Sequence, residues 1–314
     1  MKFAQCRVLM SFCLCLTSAF SLADPMDTSL RKAVGTELFI SNDNESFSTQ
    51  RGALEYFPRY RSADALTGVR YTSHWYQQKN WSSNGQQLTF LHRDIDPATA
   101  NGWQLNAGLF HQGGHDLLSL DGSYRKALAQ QTGLELFVNR DWVETAIALD
   151  NGVHFTLAGV AVDQGLGPHV TLVGLGGRQN FSDGNARNHR RLKLIFQPNL
   201  DSGLTLQARY RAYNSTSQNV GGAYFNPEHY NETMLALGWR KKVQGWSLNF
   251  TTGIGKQKIT NDPRSATHLI EGGLQSPTHL HYSVRLRAGL VQSASFNSPN
   301  YRYQYLQTEL IIPF

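Results

Sequence analysis

Histidine and serine are the residues of this sequence that could support hydrolytic chemistry, because a histidine base can activate a serine hydroxyl. The chain has 11 histidines, but no serine lies in a Gly-x-Ser-x-Gly motif, the turn that exposes the nucleophile in many hydrolases. The sequence also lacks the His-Glu-x-x-His, P-loop and dinucleotide fingerprints. We therefore predict no catalytic residue, no metal site and no cofactor.

Arginine and tyrosine form a stronger pattern, since they recur at alternate positions of apolar segments. In the segment 280–291, Leu286 and Leu290 belong to one face, whereas Arg285 and Arg287 belong to the other. Continued along the chain, this alternation places on the polar face Arg70, Arg191, Lys193, Arg209, Arg211, Arg240, Arg285, Arg287, Asp121, Glu135, Glu271, Glu309, Tyr76, Tyr213, Tyr301, Tyr303 and Tyr305. The set has two compatible interpretations. It fills and stiffens a polar interior, or it forms a path in which tyrosines stack on sugar rings and charged groups replace the hydration of a polymer.

The elements that position these residues must be β-strands with one apolar and one polar face. A dry core between two sheets would leave the charges buried and unpaired, whereas a barrel with lipid outside and water inside removes that cost. The chain is 40% hydrophobic and only 17% charged, which is not the composition of a disordered chain. Beyond the first twenty or so residues, no apolar run reaches the roughly 18 residues of a spanning helix. The sequence favours an all-β, transmembrane, antiparallel up-and-down barrel over a soluble β-sandwich.

Sixteen strands account for the alternating segments. They centre on residues 36–42, 51–60, 67–77, 85–94, 102–111, 115–126, 132–140, 152–162, 168–179, 186–197, 203–213, 230–240, 244–257, 265–274, 278–292 and 300–314. Segment 140–151 is either a further strand or a folded-in loop, so fourteen and eighteen remain alternatives. The last strand ends in Phe314, as bacterial outer-membrane barrels do. The longer breaks are predicted outside the cell, at 43–50, 214–229, 257–264 and 293–300.

The first 23 residues read as a cleaved signal peptide. Lys2 and Arg7 precede an apolar stretch, and small residues precede a cut after Ala23. All three cysteines lie in this segment, so the mature chain would have no disulfide. We predict a signal peptide at 1–23, a short periplasmic segment at 24–34 and the barrel at 35–314, in the outer membrane of a Gram-negative bacterium.

Three further motifs lie between predicted strands, at 139–145, 180–187 and 224–230. The second motif has the residues of a tight turn, because glycine and asparagine tolerate positive φ. Arg140, Asp141 and Glu144 could pin a loop through ion pairs, and the aromatic third motif is a candidate inward plug or sugar contact. We take as loop-site residues Arg140, Asp141, Glu144, Asp183, Asn185, Tyr224, Asn226 and Pro227.

With the C-terminal strand, these motifs resemble the C-terminal barrel of outer-membrane exopolysaccharide-export porins, of the poly-N-acetylglucosamine and cellulose export type, and related barrels that serve as phage receptors. The resemblance implies a non-enzymatic porin that exports a biofilm polysaccharide. Because the helical-repeat region of that family is missing here, a separate periplasmic helical-repeat or synthase-complex partner is expected. Since the polar face is more basic than acidic, a neutral or anionic polymer fits better than a cationic one.

Other expected partners are outer-membrane lipid, lipopolysaccharide and the barrel-assembly machinery, and no nucleic acid. The main alternative function is surface recognition through long loops, by an adhesin or a phage receptor. A lipid-modifying outer-membrane enzyme with a Ser–His pair is the least favoured hypothesis.

Overall fold

The computed structural model describes residues 30–217, 219–277, 281–295 and 298–314. The predicted signal peptide, its cut after Ala23 and the segment as far as residue 29 lie outside the described residues. Within the described part, the chain forms sixteen strands and a short helix, α1 (Ala146–Asp150). The strands are β1 (Arg31–Asp43), β2 (Phe47–Ser62), β3 (Ala65–Gln78), β4 (Trp81–Ile95), β5 (Gly102–Gln112), β6 (His115–Ala129), β7 (Thr132–Trp142), β8 (His154–Gly165), β9 (Val170–Phe181), β10 (Ala186–Phe196), β11 (Leu204–Ser215), β12 (His229–Val243), β13 (Trp246–Ile259), β14 (Ser265–Gln275), β15 (Ser283–Ser295) and β16 (Ser298–Pro313).

Every strand pairs antiparallel with its neighbours in sequence, and β1 pairs with β16 to close the barrel. The closing register sets Glu37 opposite Glu309 and Ala33 opposite Pro313. The fold class and the count of sixteen strands are thus confirmed. Because the count is even, the start of β1 and the end of β16 lie at one end of the barrel, called here the terminal end. The opposite end is called the distal end.

Large apolar side chains cover the outside of the barrel. Leu54, Leu235 and Ile254 are 70%, 68% and 65% exposed, and they alternate with inward residues of the same strands. So much exposed apolar surface is stable only in lipid, because a soluble monomer rarely shows an apolar patch beyond a few hundred Å². No helix among the described residues is long and apolar enough to cross a membrane.

Two of the predicted long breaks are mostly strand. The β1–β2 connection is only Asn44–Ser46, because the Asp43 carboxylate accepts hydrogen bonds from the backbone N–H groups of Glu45 and Phe47, both at 2.9 Å. Likewise β15 extends to Ser295, and β16 begins at Ser298. At the other boundary, β1 begins at Arg31, four residues before the barrel start drawn from the sequence.

The ambiguous segment after β7 is a folded-in loop, which excludes the alternative strand counts. It runs from residue 143 to 153 and contains α1, and the ladder of β7 and β8 closes beneath it through a 2.9 Å bond from Val143 N to Val153 O. With the β11–β12 loop at 216–228, it is one of two long connections among the described residues of the distal end.

Candidate functional site

A run of cations lines the inner face of β10 and β11. Arg191 lies opposite Arg211, and Lys193 lies opposite Arg209, so four predicted inward residues form one block. Arg187, four residues before Arg191 and closer to the distal end, lies on the same face. We call these five residues the basic wall.

Glu232 of β12 is the carboxylate that compensates this wall. It lies opposite Arg211, whose Nε and Nη2 both donate to Glu232 Oε2, the former at 2.9 Å. The Tyr230 hydroxyl contacts the same carboxylate oxygen at 2.7 Å. Arg209 instead donates to Gln207 Oε1 at 2.6 Å. Within the described part of the chain, Arg191 makes no ion pair. Arg187 and Arg209 likewise make no ion pair among the described residues, so the wall keeps a positive excess.

On the opposite side of the barrel, around β1–β3 and β15–β16, two inward arginines are paired with glutamates. Arg70 Nε donates to Glu55 Oε1 at 2.6 Å, and Arg70 Nη2 lies 3.3 Å from Glu37 Oε2. The next pair joins Arg285 Nη1 to Glu309 Oε2 at 3.4 Å. Arg70, Arg285 and Glu309 thus lie together on the inner face. Their mutual neutralisation leaves less net charge here than on the basic wall.

Sequence reasoning missed several members of these clusters. Glu37, Glu55 and Glu232 lie inside the predicted strands 36–42, 51–60 and 230–240, so assigning a face to every residue of these strands would have found them. Arg93 was also missed. It donates to the Ala63 carbonyl at 2.6 Å, near the terminal end.

A third sector of the interior, on β6–β8, is acidic. Arg125 Nη2 pairs with Asp163 Oδ1 at 2.8 Å, and the predicted inward Glu135 lies buried opposite Arg125. Asp121, four pairs further along the same register, lies opposite Asn139. The inner surface therefore carries positive charge on one side and negative charge on an adjoining side.

Most of the predicted inward tyrosines are packed into the wall. Tyr213 is 2% exposed and Tyr305 is 8% exposed. Tyr213 stacks on Tyr230 with ring centroids 4.9 Å apart. The Tyr305 hydroxyl donates to Glu271 at 3.2 Å, and its ring covers Gly289, where a Cβ would lie 2.5 Å from the ring. Buried rings stiffen the barrel and are not free to stack on a ligand.

The remaining predicted inward residues keep some exposure. Tyr303 is half-buried, its ring centroid 6.0 Å from that of Tyr305. Arg287 is half-buried opposite Gly273 and Gln307, and Arg240 is exposed near the terminal end of β12. These residues, with Arg191, Lys193 and Arg209, are the side chains that a molecule inside the barrel would meet.

The second and third motifs meet at the distal end. The Tyr224 hydroxyl donates to Asp183 Oδ2 at 2.8 Å, and Asn185 Nδ2 donates to Tyr224 Oη at 3.0 Å and to Asn226 Oδ1 at 2.9 Å. Burial raises the pKa of the Tyr224 hydroxyl, so it stays protonated as the donor. Gly184 supplies the positive φ of 87° that the predicted turn requires. We call this group the loop latch; Pro227 lies buried beside Asn226.

Arg187 joins the loop latch to the basic wall. Its Nη2 donates to the Phe225 carbonyl and, at 3.2 Å, to Asn226 Oδ1. Its guanidinium lies 4.9 Å from the Phe181 ring centroid, 5.1 Å from that of Tyr213 and 5.2 Å from that of Tyr224. A buried cation is tolerated here because aromatic faces and carbonyl oxygens replace its hydration. Sequence reasoning did not single out this residue.

The 143–153 loop extends along the inner wall. Thr145 caps α1, its Oγ1 accepting from Ala148 N at 3.2 Å and donating to the Ala223 carbonyl of the β11–β12 loop. At the other end of α1, Trp81 Nε1 donates to the Asp150 carboxylate at 2.9 Å. Leu149 packs with the inward residues Phe47, Tyr76, Phe110 and Leu117 of β2, β3, β5 and β6. The two distal loops therefore hold each other inside the barrel mouth.

The first motif does not form the ion-pair network suggested by its sequence. Arg140 and Asp141 are adjacent in β7 and so face opposite sides. Arg140 lies outward, donating to Thr156 Oγ1 at 2.9 Å and contacting His154 Nε2 at 3.0 Å. Asp141 is buried inside, where Oδ1 accepts from Trp142 N at 2.9 Å. Glu144 is half-buried at the start of the inward loop.

We expect Asn185→Ala to release the β11–β12 loop. The substitution removes the bonds to Tyr224 and Asn226 and leaves the half-buried N–H of Ser217 without the Asn185 Oδ1 acceptor, whereas Ala186 N keeps its 2.9 Å bond to Thr216 Oγ1. Orphaned buried polar groups cost about 1–3 kcal/mol each. Limited proteolysis of the barrel in vesicles should then cleave within 216–228 faster than in the wild type. Asp201→Asn, in an exposed turn at the terminal end, is the control, and equal cleavage rates in N185A and wild type would contradict the latch.

No protein-family model and no curated protein matches the sequence. The fold resembles a solved structure described as a bacterial polysaccharide outer membrane secretin, with a TM-score of 0.68 at 10% identity, over 90% of this chain and 98% of that one. OccD3 (OpdP) of Pseudomonas aeruginosa aligns with a TM-score of 0.46 at 11% identity, over 95% of this chain and 97% of that one. OccK5 (OpdH) of the same organism aligns at 0.44 and 10%, over 91% and 98%. The chain has the fold of an outer-membrane porin-type β-barrel.

Proposed function

We propose that this barrel passes a neutral or anionic polysaccharide through its lumen, and does so in export. The observation that carries the proposal is the basic wall, in which Arg187, Arg191 and Arg209 have no carboxylate partner among the described residues. In a water-filled bore of low surrounding dielectric, such an excess attracts anions and repels cations. The partly exposed Arg191, Lys193 and Arg209 can donate hydrogen bonds to hydroxyl or carboxylate groups of a sugar.

Two further points support a polymer as the substrate. The solved structure with the strongest fold similarity reported above is itself described as a polysaccharide secretin. The packed tyrosines and ion pairs brace the wall, so the bore keeps its shape while a chain moves through it. A separate periplasmic partner would deliver the polymer to the terminal end, and the inward distal loops would control its exit.

Surface recognition through long loops receives less support. The inward parts of the two long distal loops, Ala148 and Leu149 in one and residues 223–227 in the other, are buried and so offer no protruding surface.

We expect Arg191→Gln/Lys193→Gln/Arg209→Gln to abolish anion preference. The reversal potential of the purified barrel in a planar bilayer, measured under a salt gradient, should move from the anion-selective side toward zero, because the variant removes three positive charges from the bore. Entry of an acidic oligosaccharide, read as current block, should fall in parallel, and a cationic oligosaccharide should block neither protein.

Arg190→Gln is the matched control. Arg190 is the sequence neighbour of Arg191 but faces outward, so this variant should keep the wild-type reversal potential. A wild-type barrel without anion preference would refute the role of the basic wall. Unchanged surface polysaccharide after deletion of the gene would refute export.

A further inference from the structure

Four cations form a separate group on the outside of the barrel at its distal end. They are Arg178 of β9, Arg190 of β10, and Lys256 and Lys258 of β13, and all four are exposed. Their neighbours Gln179, His189 and Gln257 are buried on the inner face, at 2%, 5% and 1% exposure. Since successive strand residues face opposite sides, the four cations face outward. We call them the outer cation patch.

The patch lies directly above the lipid-covered surface. In β10 the outward residues that follow Arg190 toward the terminal end are Leu192 and Leu194, and in β13 the outward residue next to Lys256 is Ile254. At the terminal end of the same region, the outward residues include the aromatic Phe196, Trp239 and Phe250, with a single lysine of β12, Lys241, beyond Trp239 on the outer face. The two membrane boundaries of this sector therefore have different chemistry.

Register brings the four cations within reach of one another. Arg178 lies opposite Asn188, so Arg190 is its diagonal neighbour, roughly 7–8 Å away. Arg190, Ala212, Asn231 and Lys258 follow one row across three strand spacings, which is roughly 14 Å. Arg178 Nε donates to Asn180 Oδ1 at 3.1 Å, and no residue of the patch makes an ion pair within the described ranges.

The opposite sector lacks such a group. On β2, β3 and β4 the outward residues toward the distal end include the neutral amides Gln50, Gln77 and Gln86. The patch is thus a local feature of β9–β13 and not a uniform property of the distal rim. Exposed cations at the edge of an apolar band, without carboxylate partners, fit phosphate groups held at a lipid headgroup level.

We propose that the outer cation patch binds the phosphate groups of lipopolysaccharide in the outer leaflet. Arginine matches phosphate oxygens with two parallel N–H donors, and the lysines add point charges. The acyl chains would lie along Leu192, Leu194 and Ile254 immediately below. The site is on the outside of the barrel and does not depend on what passes through the lumen.

The test is the thermal unfolding midpoint of the full purified barrel in neutral detergent, with and without added lipopolysaccharide. The wild type should be stabilised by lipopolysaccharide, and much less by dephosphorylated lipopolysaccharide or by inorganic phosphate. Arg178→Gln/Arg190→Gln/Lys256→Gln/Lys258→Gln should lose most of this upward shift. Because all four side chains are exposed, the midpoint without lipid should stay at the wild-type value.

Lys241→Gln is the matched control, since Lys241 is exposed on the outer face near the terminal end of β12; it should keep the full shift. An equal shift in the fourfold variant would overturn the proposal, and so would an equal shift by inorganic phosphate alone, which would assign the patch to free anions. If the fourfold variant does not fold, R178Q/R190Q and K256Q/K258Q are measured separately, and a full shift in both would overturn it.

Discussion

Glu232→Gln should destabilise the barrel by about 3–5 kcal/mol, the cost of removing one partner of a buried ion pair. Arg211 donates twice to Glu232, Tyr230 contacts the same oxygen, and both charged side chains are largely buried, at 17% and 9% exposure. Without the carboxylate, Arg211 keeps its charge beside four other cations of the basic wall. Repulsion within the wall then adds to the lost pairing.

The measurement is urea-induced unfolding of the barrel in lipid vesicles, followed by tryptophan fluorescence. Arg211→Gln/Glu232→Gln should recover part of the loss, because it removes the uncompensated cation together with the acid. Glu228→Gln is the control: Glu228 pairs with His229 at 3.4 Å in an exposed position, where an ion pair contributes only about 0–1 kcal/mol. If E232Q and E228Q unfolded at the same urea concentration, the carboxylate would have no special role in holding the wall.

Replacing residues 144–152 by a two-residue Gly-Ser turn should raise the single-channel conductance severalfold. The loop covers inward residues of β2, β3, β5 and β6, including Tyr76 and Phe110, which are 1% exposed beneath it. A short turn can close the gap, because Val143 N already donates to Val153 O across the ends. The strands themselves should remain intact, so the effect reports on the mouth of the bore.

Thr145 provides a graded version of the same experiment. Thr145→Val loses the hydroxyl that caps α1 and donates to Ala223, and should give an intermediate rise with larger current fluctuations. Thr145→Ser retains the hydroxyl and should behave as the wild type. A conductance unchanged by the loop replacement would mean that the narrowest part of the bore lies elsewhere.

How much of the structure can be predicted from the sequence depends on what the two-residue alternation of apolar and polar side chains specifies. Alternation assigns each residue of a strand to the inner or the outer face, because successive side chains point to opposite sides. That was sufficient to place Arg211, Arg285 and Glu309 inside, and to obtain sixteen strands and a closed barrel. The turn at Gly184 was predicted separately, from the tolerance of glycine and asparagine for positive φ.

Alternation does not encode which inward residues meet. The pairing of Arg70 with Glu55 depends on the register of β2 and β3, and the apposition of Glu37 and Glu309 depends on closure between the first and last strands. Register is fixed by turn lengths and bulges, such as the shift between Tyr56 and Arg59, which the residue pattern leaves unspecified.

The sequence by itself determined the apolar exterior, the charged interior and the number of strands. Each follows from local alternation, because apolar side chains are stable against lipid and charged side chains are stable in a wet interior. The tertiary structure alone decided that most of the inward tyrosines are packed and not exposed, and that the 143–153 loop enters the bore. Those outcomes depend on contacts between distant segments, such as Thr145 with Ala223 and Trp81 with Asp150. Only a closed ring of strands brings such segments together.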